Sequence, residues 1–128
     1  MTLKIFNIEN NMHDTYLIKN ALSETFSDEF EFDYAPSLSE SFEKMDVVEQ
    51  DLIILDLGLN DSAGYATIKR VKDKYPKTPI VVYSGDSHEE AVTSILNAGA
   101  DVYINKNDSH ISELVGVIEL FKSIKAAK

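Results

Sequence analysis

Asp51-Leu52-Ile53-Ile54-Leu55-Asp56-Leu57-Gly58 is the stretch on which the fold turns. Its four central residues are apolar without alternation, and an acid and then a glycine follow almost at once. A short run of this kind reads as a strand buried on both faces, which belongs to a parallel sheet covered by helices.

Working outward, similar runs occur at Leu3 to Ile8, Phe30 to Ala35, Ile80 to Tyr83 and Val102 to Ile104. Between them, Asp14 to Phe26, Leu38 to Val47, Gly64 to Tyr75, His88 to Ala98 and Ser109 to Lys125 place apolar residues three and four apart, the period of an amphipathic helix. Ser37 with Glu40 and Ser87 with Glu90 have capping-box spacing, and Gly99 after Ala98 is a natural helix stop. Four of the runs read as buried strands. Phe30-Glu31-Phe32-Asp33-Tyr34 instead alternates strictly and is expected at a sheet edge with one face in solvent. Alternating strands and helices predict a doubly wound five-stranded parallel sheet, a (βα)5 unit with helices on both faces.

At 128 residues and 44% hydrophobic content, one domain spanning residues 1–128 is expected, with a core of ordinary size. No cysteine is present, which removes disulfides, thiolate metal sites and cysteine nucleophiles. The start, Met1-Thr2-Leu3-Lys4, leads into an apolar stretch broken by Asn7 and Glu9, too short and polar for a signal peptide or membrane span. A soluble cytoplasmic protein without a membrane partner is expected. Residues 1–60 hold 13 acidic and three basic groups and residues 61–128 nine of each, so the net charge of −10 lies in the first half and disfavours nucleic acid as a partner. The lysine-bearing end, Lys122 to Lys128, is expected to fray.

In open parallel sheets, ligands collect beyond the carboxyl ends of the strands. Glu9 and Asn10 follow the first run, Asp56 the third, Ser84 and Gly85 the fourth and Lys106 the fifth. Carboxylates, a hydroxyl and an ammonium on one rim suit phosphoryl chemistry, with a carboxylate nucleophile, a hard cation on oxygen ligands, and Lys and Ser holding the phosphoryl oxygens.

Four segments resemble the response regulator receiver (CheY-like) family over nearly the whole chain. They are Lys4-Ile5-Phe6-Asn7-Ile8-Glu9-Asn10, Leu55-Asp56-Leu57-Gly58-Leu59-Asn60-Asp61-Ser62-Ala63-Gly64, Val82-Tyr83-Ser84-Gly85, and Ala98-Gly99-Ala100-Asp101-Val102-Tyr103-Ile104-Asn105-Lys106. The resemblance implies a flavodoxin-like sheet of strand order 2-1-3-4-5 and a non-enzymatic role in two-component signalling. It implies that Asp56 accepts a phosphoryl group from a histidine kinase or phosphotransfer protein, with Lys106 and Ser84 contacting the aspartyl phosphate. Mg²⁺ would be held by Glu9, Asn10, Asp56 and the Gly58 carbonyl, while Ser84 and Tyr103 would report the state to a downstream protein. The stripe Ile111, Leu114, Val115, Ile118, Phe121 and Ile124 is expected first to cover the sheet, and the resemblance implies a partner or homodimer surface on the face of the fourth and fifth helices. Asp86, with Gly58, is a position expected to influence phosphate lifetime.

Several residues depart from the family pattern. Asn10 replaces a carboxylate, so metal affinity is expected to fall. Asn60 and Asn107 stand where many relatives have proline, the latter in cis; a cis bond before a non-proline residue costs about 2.5 to 4 kcal/mol, so the Lys106-Asn107 bond is expected to be trans. Asn7 is polar within a central strand and needs a partner. Plainer readings stand beside the functional ones: Tyr103 as sheet packing, His13, His88 and His110 as surface residues, and Asp28, Glu29, Glu31 and Asp33 as a solvated face. The alternative function is a pseudo-receiver, the same fold kept for phosphorylation-independent protein binding. A flavin-binding or hydrolytic relative is disfavoured, because no Gly-rich loop follows the first strand and no Asp-x-Asp motif surrounds Asp56.

Overall fold

A computed structural model describes residues 2–85 and 89–127, with the side chains of 89–91 left aside. In chain order the elements are β1 (Leu3–Ile8), α1 (Met12–Phe26), β2 (Phe30–Ala35), α2 (Leu38–Met45), β3 (Leu52–Leu55), α3 (Tyr65–Lys74), β4 (Ile80–Ser84), α4 (Glu89–Asn97), β5 (Val102–Asn105) and α5 (Ile111–Ala127). All strand pairings are parallel and the order is β2-β1-β3-β4-β5.

Strand alternation divides the core between the two faces. Phe6, Ile8, Ile53, Leu55, Ile80 and Val82 pack with Leu38, Met45, Ile68, Val71 and Ile95 of α2, α3 and α4. Leu3, Ile5, Leu52, Ile54, Val81 and Tyr83 pack with Ile18, Leu22 and Phe26 of α1 and with Leu114, Val115 and Ile118 of α5. Each fully buried Leu, Ile or Phe contributes roughly 1.5–3 kcal/mol of transfer free energy, which makes these two layers the main term holding the strand ends in register.

The alternating second run is indeed an edge strand, with Glu31 and Asp33 facing solvent. The fifth run corrects the expectation of four fully buried strands: β5 is the opposite edge, and of its residues only Ile104 is buried. Helix boundaries also move. α1 begins at Met12, because Asn11 caps it by accepting from the backbone N–H groups of His13 and Asp14. α2 ends at Met45 and α5 runs from Ile111.

Half of the first capping box forms: Ser37 Oγ accepts from the Glu40 N–H, while the Glu40 side chain makes no return bond. The Asp61 carboxylate, from the β3–α3 loop, takes two further N–H groups, those of Leu38 and Ser39, at 3.0 Å each. The Ser87–Glu90 box, His88 and Asp86 lie outside the described residues. Within the α5 stripe Ile124 is 44% exposed, and Leu114, Val115 and Ile118 carry the packing. Of the basic end, α5 continues to Ala127, with Lys122 bonded to Glu29 and Lys125 to Asp51 and the carbonyl of Thr2; Lys128 lies outside the described residues. Asn7 donates to the Ile54 carbonyl at 3.1 Å, and its own Oδ1 is buried without a partner.

Candidate functional site

The rim is assembled by backbone pairing at the strand ends. The Glu9 N–H donates to the Ala35 carbonyl, Asp56 N–H to Ile8 and Lys106 N–H to Ser84, so each site residue leaves its strand hydrogen-bonded to the neighbouring one. The parallel ladder fixes these residues side by side although up to 97 positions separate them in sequence. They line an open cleft of about 700 Å³ with Asn10, Asn11, Asp14, Gly58 and Ser84.

At its floor Glu9, Asp56 and Ser84 are 1%, 6% and 3% exposed. The Lys106 ammonium lies 2.9 Å from Glu9 Oε1, 2.9 Å from Asp14 Oδ2 and 3.5 Å from Asp56 Oδ1. Burial, reinforced by the neighbouring Asp56 carboxylate, pushes the Glu9 pKa up to about 7 against the pull of Lys106. Burial opposes charge on Lys106 too, but hydrogen bonds to Asp14 and Glu9 outweigh it and raise the ammonium above the ordinary lysine value. Lys106 is therefore cationic throughout the neutral range.

Glu9, Asn10, Asp56, Gly58, Ser84 and Lys106 all line the cleft, whereas Tyr103 does not. Asn10 lines the cleft and donates to Asn60 Oδ1 at 3.4 Å, a long hydrogen bond that joins two positions of departure. Gly58 lies beside Asp56, with its backbone bridged to Ala63. Tyr103 is half-buried against the α2–α4 layer, and its hydroxyl donates to the Ser84 carbonyl at 3.4 Å. The structure contains no cis peptide bond among the described residues, in line with the expectation for Lys106-Asn107. Asn107 instead ties the β5–α5 loop to β4 by donating to the Gly85 carbonyl at 2.7 Å. A Cβ at position 85 would meet Asn107 Nδ2 at 2.6 Å, so any other residue there would push the Asn107 amide aside.

Among the cleft residues not marked from the sequence are Asn11 and Asp14. Their spacing, a polar cap followed three residues later by an acid, is a visible helix-start signal. Nothing local shows that Asp14 meets Lys106, 92 residues away.

The donor set is suited to a hard cation, since Glu9, Asp56, the Asn10 amide and the Gly58 carbonyl all offer oxygen. Near Lys106 one ammonium faces three carboxylates, those of Glu9, Asp14 and Asp56. No helix among the described residues is long and apolar enough to cross a membrane.

Comparisons with known proteins agree with this geometry. The chain is 30% identical over 121 residues to the transcriptional regulatory protein KdpE of Staphylococcus aureus, covering 93% of this chain and 51% of that protein. It is 36% identical over 93 residues to a protein-glutamate methylesterase/protein-glutamine glutaminase of Trichodesmium erythraeum, covering 70% and 26%. The chain thus spans about half or less of these relatives. In fold it is similar to a CheY-like response regulator receiver domain protein from Methanospirillum hungatei, with TM-score 0.83, 21% identity and full coverage of both chains. A two-component response regulator from Clostridium difficile gives TM-score 0.83 at 23% identity, covering 94% of this chain and 96% of that one. The response regulator receiver domain family model matches residues 5–119, and with the sheet order and the rim of Glu9, Asp56, Ser84 and Lys106 in place the chain belongs to the response regulator receiver domain family of two-component signalling.

Proposed function

We propose that residues 1–128 act as one receiver unit in which Asp56 takes a phosphoryl group from a histidine kinase or phosphotransfer protein. The observation that carries this reading is Asp56 on the cleft floor, nearly buried, with the Lys106 ammonium 3.5 Å from its Oδ1 and Ser84 lining the same cleft. A carboxylate oxygen of Asp56 forms the bond to phosphorus as the bond to the donor's imidazole nitrogen breaks, and the nitrogen keeps the electron pair. Lys106 and the Ser84 hydroxyl then hold phosphoryl oxygens.

Receiver domains bind Mg²⁺ at the phosphorylation site. Here Glu9, Asp56, the amide oxygen of Asn10 and the Gly58 carbonyl would hold it. Bound there, it spreads the negative charge of the transferring group. Asn10 contributes an oxygen without a charge, so the affinity falls below that of a site with three carboxylates.

The output is a protein contact. Tyr103, linked to the Ser84 carbonyl, joins the site to β5 and the adjoining α4 and α5 surface, where a downstream partner or a second copy would dock. Leu96, Leu120 and Ile124 are exposed on those two helices. Incubating the protein with Mg²⁺ and an acyl phosphate while following intact mass tests the reading, with Asp56→Asn as control. An adduct on the unmodified chain alone is expected. None at any Mg²⁺ concentration would overturn phosphoryl acceptance and leave a phosphorylation-independent binding module.

A further inference from the structure

Asp14 is the carboxylate of the cleft for which the phosphoryl reading has no use. It sits in the first turn of α1, where Asn11 caps the helix, and its Oδ2 is 2.9 Å from Lys106 Nζ. That is as close as Glu9 and closer than Asp56 at 3.5 Å. The pair is largely out of water, with side-chain exposures of 18% for Lys106 and 26% for Asp14.

Asp14 and Lys106 also line a second cavity, of about 470 Å³, between α1 and the start of α5. The ammonium therefore stands on the boundary of two cavities. Asp56 faces it from the first only, whereas Asp14 borders both. Of the three donors of the ammonium, two are hydrogen-bonded to Glu9 and Asp14, while Asp56 is held only at ion-pair distance, before any phosphoryl group arrives. A phosphoryl oxygen on Asp56 competes for the ammonium with the two carboxylates that hold it at 2.9 Å.

We propose that Asp14 is a positioning residue that holds the Lys106 ammonium toward α1 and competes with the aspartyl phosphate for it, setting the occupancy of the phosphorylated state. The inference rests on the phosphoryl reading for its consequence and on the ion-pair geometry for its cause. Asp14 also returns to the rim, one turn into α1, the negative charge that Asn10 lacks. From there it attracts the ammonium away from Asp56.

Unmodified protein, Asp14→Asn, Lys106→Met and the double variant are treated with acyl phosphate and Mg²⁺, and the steady-state phosphorylated fraction is read by intact mass. Asp14→Ser serves as a second variant should the asparagine form fold poorly, since serine is well accepted in a first helical turn. Asp14→Asn is expected to raise the ratio of phosphorylated to free protein roughly two- to fivefold, in keeping with a partly buried ion pair. The gain is expected to vanish in the Lys106→Met background, which a merely structural effect of Asp14 on α1 would not produce. A gain that persists without Lys106, or no gain, overturns the competition. A crystal structure of Asp14→Asn without donor separates this from the phosphoryl reading itself. Should no protein in the set accept a phosphoryl group, the function proposed above fails, and the crystal structure still decides the positioning role. Lys106 moving into hydrogen-bond distance of Asp56 sustains it, and Lys106 unmoved overturns it.

Discussion

Glu9→Gln should flatten the dependence of stability on pH between 5 and 8. The Glu9 carboxyl is 1% exposed, and burial beside Asp56 raises its pKa from an ordinary 4.5 to about 7. A folded-state pKa above the unfolded value means that the native state holds the extra proton in this window, so the contribution of Glu9 to stability is fully present below pH 4.5 and is lost as pH rises through about 7. At about 1.36 kcal/mol per pH unit, that interval gives a loss on the order of 3 kcal/mol. Glu29, Asp46 and Asp61 have lowered pKa values, so their opposite contribution lies below the window, under pH 4.5. The assay is urea denaturation of both proteins from pH 5 to 8 with a chelator present, each analysed by linear extrapolation. The unmodified chain should lose about 2–3 kcal/mol more than the variant over that range, because the variant has no proton to release at this position. Saturating Mg²⁺ should shrink the difference, since a dication stabilises the ionised pair. Parallel profiles would refute the argument, showing either that Glu9 ionises normally or that Lys106 fully offsets its burial.

Asn10→Asp should tighten Mg²⁺ binding roughly tenfold or more by adding a carboxylate ligand, as metal titration of both proteins would read; unchanged affinity would place Asn10 away from the metal. Mg²⁺ affinity of the unmodified chain should rise with pH through about 7, because Glu9 must lose its proton to bind, and Glu9→Gln should remove that rise. Asp61→Ala should cost about 0.5–2 kcal/mol in chemical denaturation, since its carboxylate satisfies two N–H groups at the start of α2. Phe6→Ala, at a fully buried position of β1, should cost about 3–5 kcal/mol in the same assay.

Much of the fold was legible in local pattern. Leu52-Ile53-Ile54-Leu55 reads as buried on both faces because every residue of β3 does pack against a helical layer, and Phe30 to Tyr34 alternates because β2 has only one covered face. The pattern failed where context outweighed composition. Val102-Tyr103-Ile104 is as apolar as a central strand, yet β5 lies at the edge, and an edge position is a property of the sheet and not of the run. Glu40 has the right spacing for a capping box but makes no return bond, and Asp61, an acceptor from another loop, satisfies the N–H groups of Leu38 and Ser39 instead.

The site divides in the same way. The order of residues along the chain determined that Glu9, Asn10, Asp56, Ser84 and Lys106 would reach one rim, because in a parallel sheet every strand ends on the same side. Tertiary structure alone decided how Lys106 divides its ammonium among Glu9, Asp14 and Asp56, that Asn107 clasps Gly85, and that Glu9 is buried deeply enough to hold a proton near neutrality. Strand and helix periodicity are written in residues three or four positions apart at most, whereas a charge's partners and its loss of water depend on side chains up to 97 positions away, brought within 3 Å only when the sheet closes.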